Sequence, residues 1–254
     1  MYRRDYGRNG RIGLVTPMAN PTAEPEMQLL MPEGVSLLAA RCASGADARQ
    51  RFIDYFEQLG NTLDCFDTLR LDAAGFACTA STYLLGREYE LRQSAELSRR
   101  QGYPVLTAAD AIHRALQHLG AERIAMACPY PDWLYQVGVD YWRERGYQVV
   151  ASVSARPMME DTRAIYDVTA RSAAEVVLDE FRDIQADALV ITGTGMPALP
   201  VLGLLQDELK MPAFNSNLCL AWACLQAAGI EAGNRRPDRD FPLLSGWQNQ
   251  LQEL

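Results

Sequence analysis

The reactive chemistry of this sequence rests on six cysteines, two histidines and a few hydroxyl-bearing residues at strand ends. Cys78 has the most telling setting. It closes the apolar run Ala73 to Ala77 and precedes Thr79, Ala80, Ser81 and Thr82, residue types suited to a helix start. A thiol there meets free backbone N–H groups and the positive end of the helix dipole, which lower its pKa and make it a nucleophile or proton carrier. Core packing is the commoner fate of a free cysteine, and Cys42, Cys65, Cys219 and Cys224 are read as packing residues. Cys128 also ends a strand, and its role stays open. His113 and His118 lie five positions apart, on different faces of a helix, so no metal pair is expected from them. With so few histidines a Ser/His/Asp hydrolase is disfavoured. The sequence lacks GxSxG and a phosphate-binding GxxxxGK motif, and Gly193-Thr194-Gly195 has Ala198 where GxGxxG wants a third glycine.

Thr79, Ser81, Thr82 and Thr194, with the backbone around Gly193 and Gly195, supply neutral hydrogen-bond donors at two expected helix N-termini. Such donors suit carboxylates or an enediolate, although N-capping is the simpler role for each. Tyr130, after Pro129, brings a phenol to the equivalent strand end. The elements that position these groups are short apolar strands alternating with helical patterns, the signature of βαβ units and a parallel sheet. Arg11 to Val15, Val35 to Ala40 and Ala73 to Ala77 read as strands, with helical periodicity through Phe52, Phe56 and Leu59 after the second. The pattern then recurs: the segment from Arg11 to Pro17 answers that from Arg123 to Pro129, 112 residues later. Val35 to Leu38 matches Tyr147 to Val150, Asp72 to Thr79 matches Asp187 to Thr194, and Tyr103 to Thr107 matches Met211 to Asn215. Two α/β domains are expected, residues 1–106 with 218–254 and residues 107–217. Ligands of parallel sheets bind beyond the carboxyl ends of the strands, so the site is expected in a cleft between the domains. The loops Thr16 to Asn20, Cys78 to Thr82, Cys128 to Asp132 and Gly193 to Met196 converge on it.

The 254 residues, 48% hydrophobic, make an ordinary globular composition. A net charge of −8, from 24 basic and 32 acidic residues, argues against nucleic-acid and anionic-membrane partners. No apolar run approaches a membrane span, and the N-terminal residues lack a signal peptide's apolar core. The expectation is a cytoplasmic protein with mostly reduced cysteines. The tail from Arg235 departs from the repeat and is read as packing on its own domain or on another subunit of a homo-oligomer.

The opening from Gly10 through Asn20-Pro21-Thr22-Ala23-Glu24-Pro25-Glu26 to Val35, with the Cys78-Thr79 turn and Pro129-Tyr130, resembles maleate cis-trans isomerases. These belong with arylmalonate decarboxylases in the aspartate/glutamate racemase superfamily, and the resemblance runs from Arg11 to about Gly229. It implies two flavodoxin-like (Rossmann-like) parallel-sheet domains related by a pseudo-two-fold axis, with no cofactor and no metal. It also implies two cysteines facing one another across the substrate. Cys78 matches the first, whereas the second position falls on Gly193, which disfavours a two-base racemase. By the same resemblance Cys78 is catalytic, and Asn20, Thr79, Ala80, Tyr130, Gly193, Thr194 and Gly195 bind a small dicarboxylate. Thr162 stands where the isomerases carry an asparagine. Isomerisation through Cys78 addition is the leading expectation. Arylmalonate-type decarboxylation, with Cys78 as proton donor, is the alternative, and a non-catalytic carboxylate-binding protein represents a different class.

Overall fold

The computed structural model describes residues 5–43, 45–155 and 161–231. The tail from Arg235 lies outside these residues. The first half runs β1 Gly10–Pro17, α1 Ala23–Leu29, β2 Val35–Cys42, α2 Ala48–Glu57, α3 Leu59–Asp64, β3 Ala73–Phe76, α4 Thr79–Leu85, α5 Arg87–Gln101 and β4 Val105–Thr107. The second runs α6 Ala108–Leu119, β5 Arg123–Cys128, α7 Asp132–Glu144, β6 Gln148–Ser154, α8 Ala170–Phe181, β7 Ala188–Ile191, α9 Leu202–Leu209, β8 Ala213–Asn215 and α10 Ser216–Ala227. Each half builds a four-stranded parallel sheet, in the orders β2-β1-β3-β4 and β6-β5-β7-β8. The two orders are the same. The repeat read from the sequence is therefore a repeat of topology, and the chain is an α/β protein of two doubly wound units.

The central strands are buried on both faces, which is why they read as continuous apolar runs rather than alternating ones. Ile12, Leu14, Val15, Ile124, Ala125 and Met126 have no exposed surface. Helices cover these sheets through one apolar face. In α6 that face is Ala108, Ala109, Ala111, Ile112, Ala115 and Leu116; Thr107 caps the helix by accepting from the Asp110 backbone N–H, and Gly120 ends it in the left-handed region. The last described helix, α10, packs on β3 of the first sheet. An added Cβ at Gly75 would lie 2.8 Å from Leu220 and 3.0 Å from Cys224, so glycine there permits the close approach. No described helix is long and apolar enough to cross a membrane.

Three expectations need correction at this level. Cys65 does not pack; it caps the C-terminus of α3 and is exposed, because the chain turns outward there. The helical pattern through Phe52, Phe56 and Leu59 is two helices, with Gln58 ending α2 and leading into α3. After β7 no helix starts at once: Gly193 takes φ +93°, and the chain turns through Thr194 to Met196 before a short 3-10 turn at Leu199–Val201 and then α9.

Candidate active site

β3 delivers Cys78 to the floor of a cavity between the two sheets. The residue caps α4 with extended backbone, φ −153° and ψ 96°, and is 5% exposed. Ser81, one turn along, donates its hydroxyl to the sulfur at 3.1 Å, and the backbone N–H groups of Ala80 and Ser81 also point at it. The expected lowering of the thiol pKa is nevertheless overturned. Desolvation of a fully enclosed sulfur outweighs the three donors, and the thiol is held above its usual range. Cys78 therefore rests as a thiol, pre-aligned by Ser81.

Around the sulfur, groups from both halves meet. Thr79 Oγ1 and Tyr130 Oη lie 2.6 Å apart, buried, and one hydrogen bond between two hydroxyls leaves one hydrogen free for a ligand. Tyr130 stays neutral, since burial first and then neighbouring Tyr83 and Cys78 push its pKa up. Asn20 Nδ2 donates to Thr194 Oγ1 at 3.3 Å, and Thr194 Oγ1 donates to the Ala77 carbonyl at 2.7 Å, fastening the first loop to the second half. Asn20 Oδ1 accepts from the backbone of Thr22 and Ala23, so this side chain also shapes the start of α1.

Of the residues singled out in the sequence, Cys78, Asn20, Thr79, Ala80, Tyr130, Thr194 and Gly195 line this one cavity. Gly193 does not. An added Cβ would lie 2.7 Å from both Pro129 Cγ and Cδ, in a backbone conformation that side chains rarely adopt. The missing second thiol is thus built into the backbone. Ser81 binds sulfur instead of capping, and the buried Thr82 hydroxyl has no hydrogen-bond partner among the described residues. Cys128, whose burial pushes its thiol to about 12, does not line the cavity. His113 is bonded to Tyr147 at 2.7 Å, and His118 lies beside the Trp222 ring.

The cavity has a second wall, of which the sequence singled out only Thr162. Arg51, Phe52 and Tyr55 from α2 face Thr162, Arg163, Ile165 and Tyr166 from the segment before α8. Arg51 Nη2 donates to Thr162 Oγ1 at 2.8 Å. An arginine next to Phe52 in a polar helix looks like a solvated residue, and only the proximity of the two segments in space shows otherwise.

The family model described as arylmalonate decarboxylase matches residues 12–238. Maleate isomerase of Geobacillus stearothermophilus is 23% identical over 236 residues, covering 87% of this chain and 92% of its own. The maleate isomerase Iso from Pseudomonas putida S16, solved with maleate after replacement of one cysteine by alanine, superposes with a TM-score of 0.83 at 23% identity. It covers 93% of this chain and 98% of its own. The Nocardia farcinica maleate cis-trans isomerase, a cysteine-to-serine mutant carrying a covalently bound succinylcysteine intermediate, superposes at 0.76 and 22% identity, over 87% and 93% of the two chains. At these identities the structures establish the shared fold. The family match extends over most of the sequence, and the chain belongs to the arylmalonate decarboxylase family.

Proposed function

We propose that this chain is a cofactor-independent cis–trans isomerase of a small dicarboxylate such as maleate, with Cys78 as its nucleophile. The observation that carries the proposal is one thiol, aligned by Ser81, in a buried cavity whose other polar groups include hydroxyls, the Asn20 amide and the guanidiniums of Arg51 and Arg163. The named activity of the relatives and the succinylcysteine of the Nocardia enzyme support it. In this reading the cavity walls come from units of residues 1–106 with 218–254 and 107–217, and the enzyme works in the cytoplasm, where its thiol stays reduced.

The reaction conserves atoms and electrons without a co-reactant. Cys78 loses its proton to water, which returns it once the product has left, and the electron pair of the thiolate forms an S–C bond at one olefinic carbon. The π pair moves onto the other carbon and its carboxylate as an enediolate. The free hydrogen of the Thr79–Tyr130 pair stabilises that charge. The former double bond turns as a single bond, the pair returns, the S–C bond breaks and the thiolate leaves with the trans product.

A second reading has an observation of its own. A lone thiol kept protonated by burial also suits delivery of one proton to the enediolate left when a malonate loses carbon dioxide. Proton NMR in D2O distinguishes the readings. Isomerisation gives fumarate from maleate without carbon-bound deuterium, and Cys78→Ala reduces the rate about a thousandfold or more. Deuterated phenylacetate from phenylmalonate would favour decarboxylation. Full turnover by Cys78→Ala would contradict both.

A further inference from the structure

We infer that Arg51 is the carboxylate anchor of this cleft and makes the site select dianions over monoanions. The inference rests on the carboxylate-binding reading above, yet it concerns recognition and not the chemical step. Arg51 lies in α2 with only 1% of its surface exposed, and it lines the cavity that holds Cys78. A guanidinium does not shed its proton, so its burial is costly unless an anion or a full set of hydrogen bonds compensates. Nη1 donates to the carbonyls of Gly45 and Ala46, both at 3.1 Å. Nη2 donates to Thr162 Oγ1 at 2.8 Å and to Asp161 Oδ1 at 3.3 Å. Three neutral acceptors thus fix the fork, and a single anion is in reach.

That anion is poorly placed to neutralise Arg51. The Asp161 side chain is 49% exposed, and Arg163 grips both its oxygens, with Nε at 3.0 Å and Nη2 at 2.7 Å from Oδ2. The Arg163 hydrogen bonds are the main reason its carboxyl pKa falls to about 2. Among the described residues, one carboxylate shared by two guanidiniums leaves one positive charge in excess. No Asp or Glu is among the described residues lining the cavity to cancel it. A dicarboxylate needs two receptors. The Thr79–Tyr130 hydroxyls offer a neutral one, and Arg51 offers the charged one, with the ligand carboxylate replacing Asp161, which stays with Arg163.

A purely architectural role, tying residues 45–46 to 161–162, would weaken every ligand alike when Arg51 is changed. Loss of an anchor weakens dianions more than monoanions, because the anchor's positive charge acts on both carboxylates of a dianion and on only one of a monoanion. The test is calorimetric binding near neutral pH of succinate and of its monoamide succinamate. Wild type, Arg51→Lys, Arg51→Gln and Asp161→Asn are compared, with maleate turnover followed alongside. Wild type should bind succinate about tenfold tighter than succinamate. Arg51→Gln should bring that ratio to about one, Arg51→Lys should keep most of it, and Asp161→Asn, by removing the rival carboxylate, should tighten succinate about threefold or more. A wild-type ratio near one, no binding of succinate by wild type, or a ratio unmoved in Arg51→Gln overturns the inference. If Arg51→Gln does not fold, Asp161→Asn decides: unchanged or weaker succinate binding overturns it. A ratio that collapses in Arg51→Gln while wild type leaves maleate untouched refutes the isomerase and keeps the anchor. Turnover with an unmoved ratio does the reverse.

Discussion

At the residue scale, the decisive contest is over the Cys78 proton. Burial favours the thiol, while Ser81 and two backbone N–H groups favour the thiolate, and burial wins. Because addition requires the thiolate, kcat/KM for maleate should climb with pH about tenfold per unit through neutrality and still be rising above pH 9. A thiol that acts as proton donor gives the opposite profile, flat through neutrality and falling once the thiol ionises; a pH series with maleate and a second with phenylmalonate separate the two. The setting of Cys78 was legible in the sequence because an apolar run ending in Cys-Thr marks a strand end whatever the fold. The sign of its pKa shift was not, since desolvation comes from residues distant in sequence. Arg51 was illegible for a related reason. Its partners Asp161 and Thr162 lie 110 and 111 residues away in sequence.

At the scale of elements, the eight strands were readable as two fourfold copies because buried parallel strands must be apolar throughout, and both sheets keep the order that the repeat implies. What the repeat concealed is the difference between equivalent loops. β3 runs through Cys78 straight into α4, whereas β7 runs into Gly193 and a turn. The Cβ contacts at Gly193 give a prediction of its own. Gly193→Cys, which nominally restores a second thiol, should destabilise the protein by about 1–3 kcal/mol, from the left-handed backbone and the clash with Pro129, and should not raise isomerase activity. Urea unfolding together with maleate turnover checks it. A variant as stable as wild type and more active would show that the loop adapts easily and that glycine there is not a backbone requirement.

At the scale of the whole molecule, two buried polar clusters join the halves. Glu26 of α1, 6% exposed, accepts from the backbone N–H groups of Ala198 and Leu199 at 2.9 Å and from the side-chain amides of Asn215 and Asn217 at 2.8 Å. Glu90 of α5 accepts from Tyr141 at 2.6 Å and from Thr107, while Arg145 bonds Tyr141 at 3.0 Å and Asp110 at 3.3 Å. The residues bearing the cavity are thereby held in one arrangement. Glu26→Gln turns one acceptor into a donor facing two other donors and should cost about 3 kcal/mol or more of unfolding free energy. Chemical denaturation of the variant measures this, and a loss below about 0.5 kcal/mol would show that Glu26 does not clasp the halves. Glu26 sits inside the opening motif that resembles the isomerases, yet its role was unreadable there, because all four donors come from the other half.

The central claim is that Cys78 bonds covalently to the substrate, and the most direct measurement is mass spectrometry of peptides from enzyme quenched during maleate turnover. The account predicts a mass increase of one maleic acid on the peptide bearing Cys78, absent from Cys78→Ala. Rapid turnover to fumarate with every cysteine unmodified, and the same rate in Cys78→Ala, would contradict it.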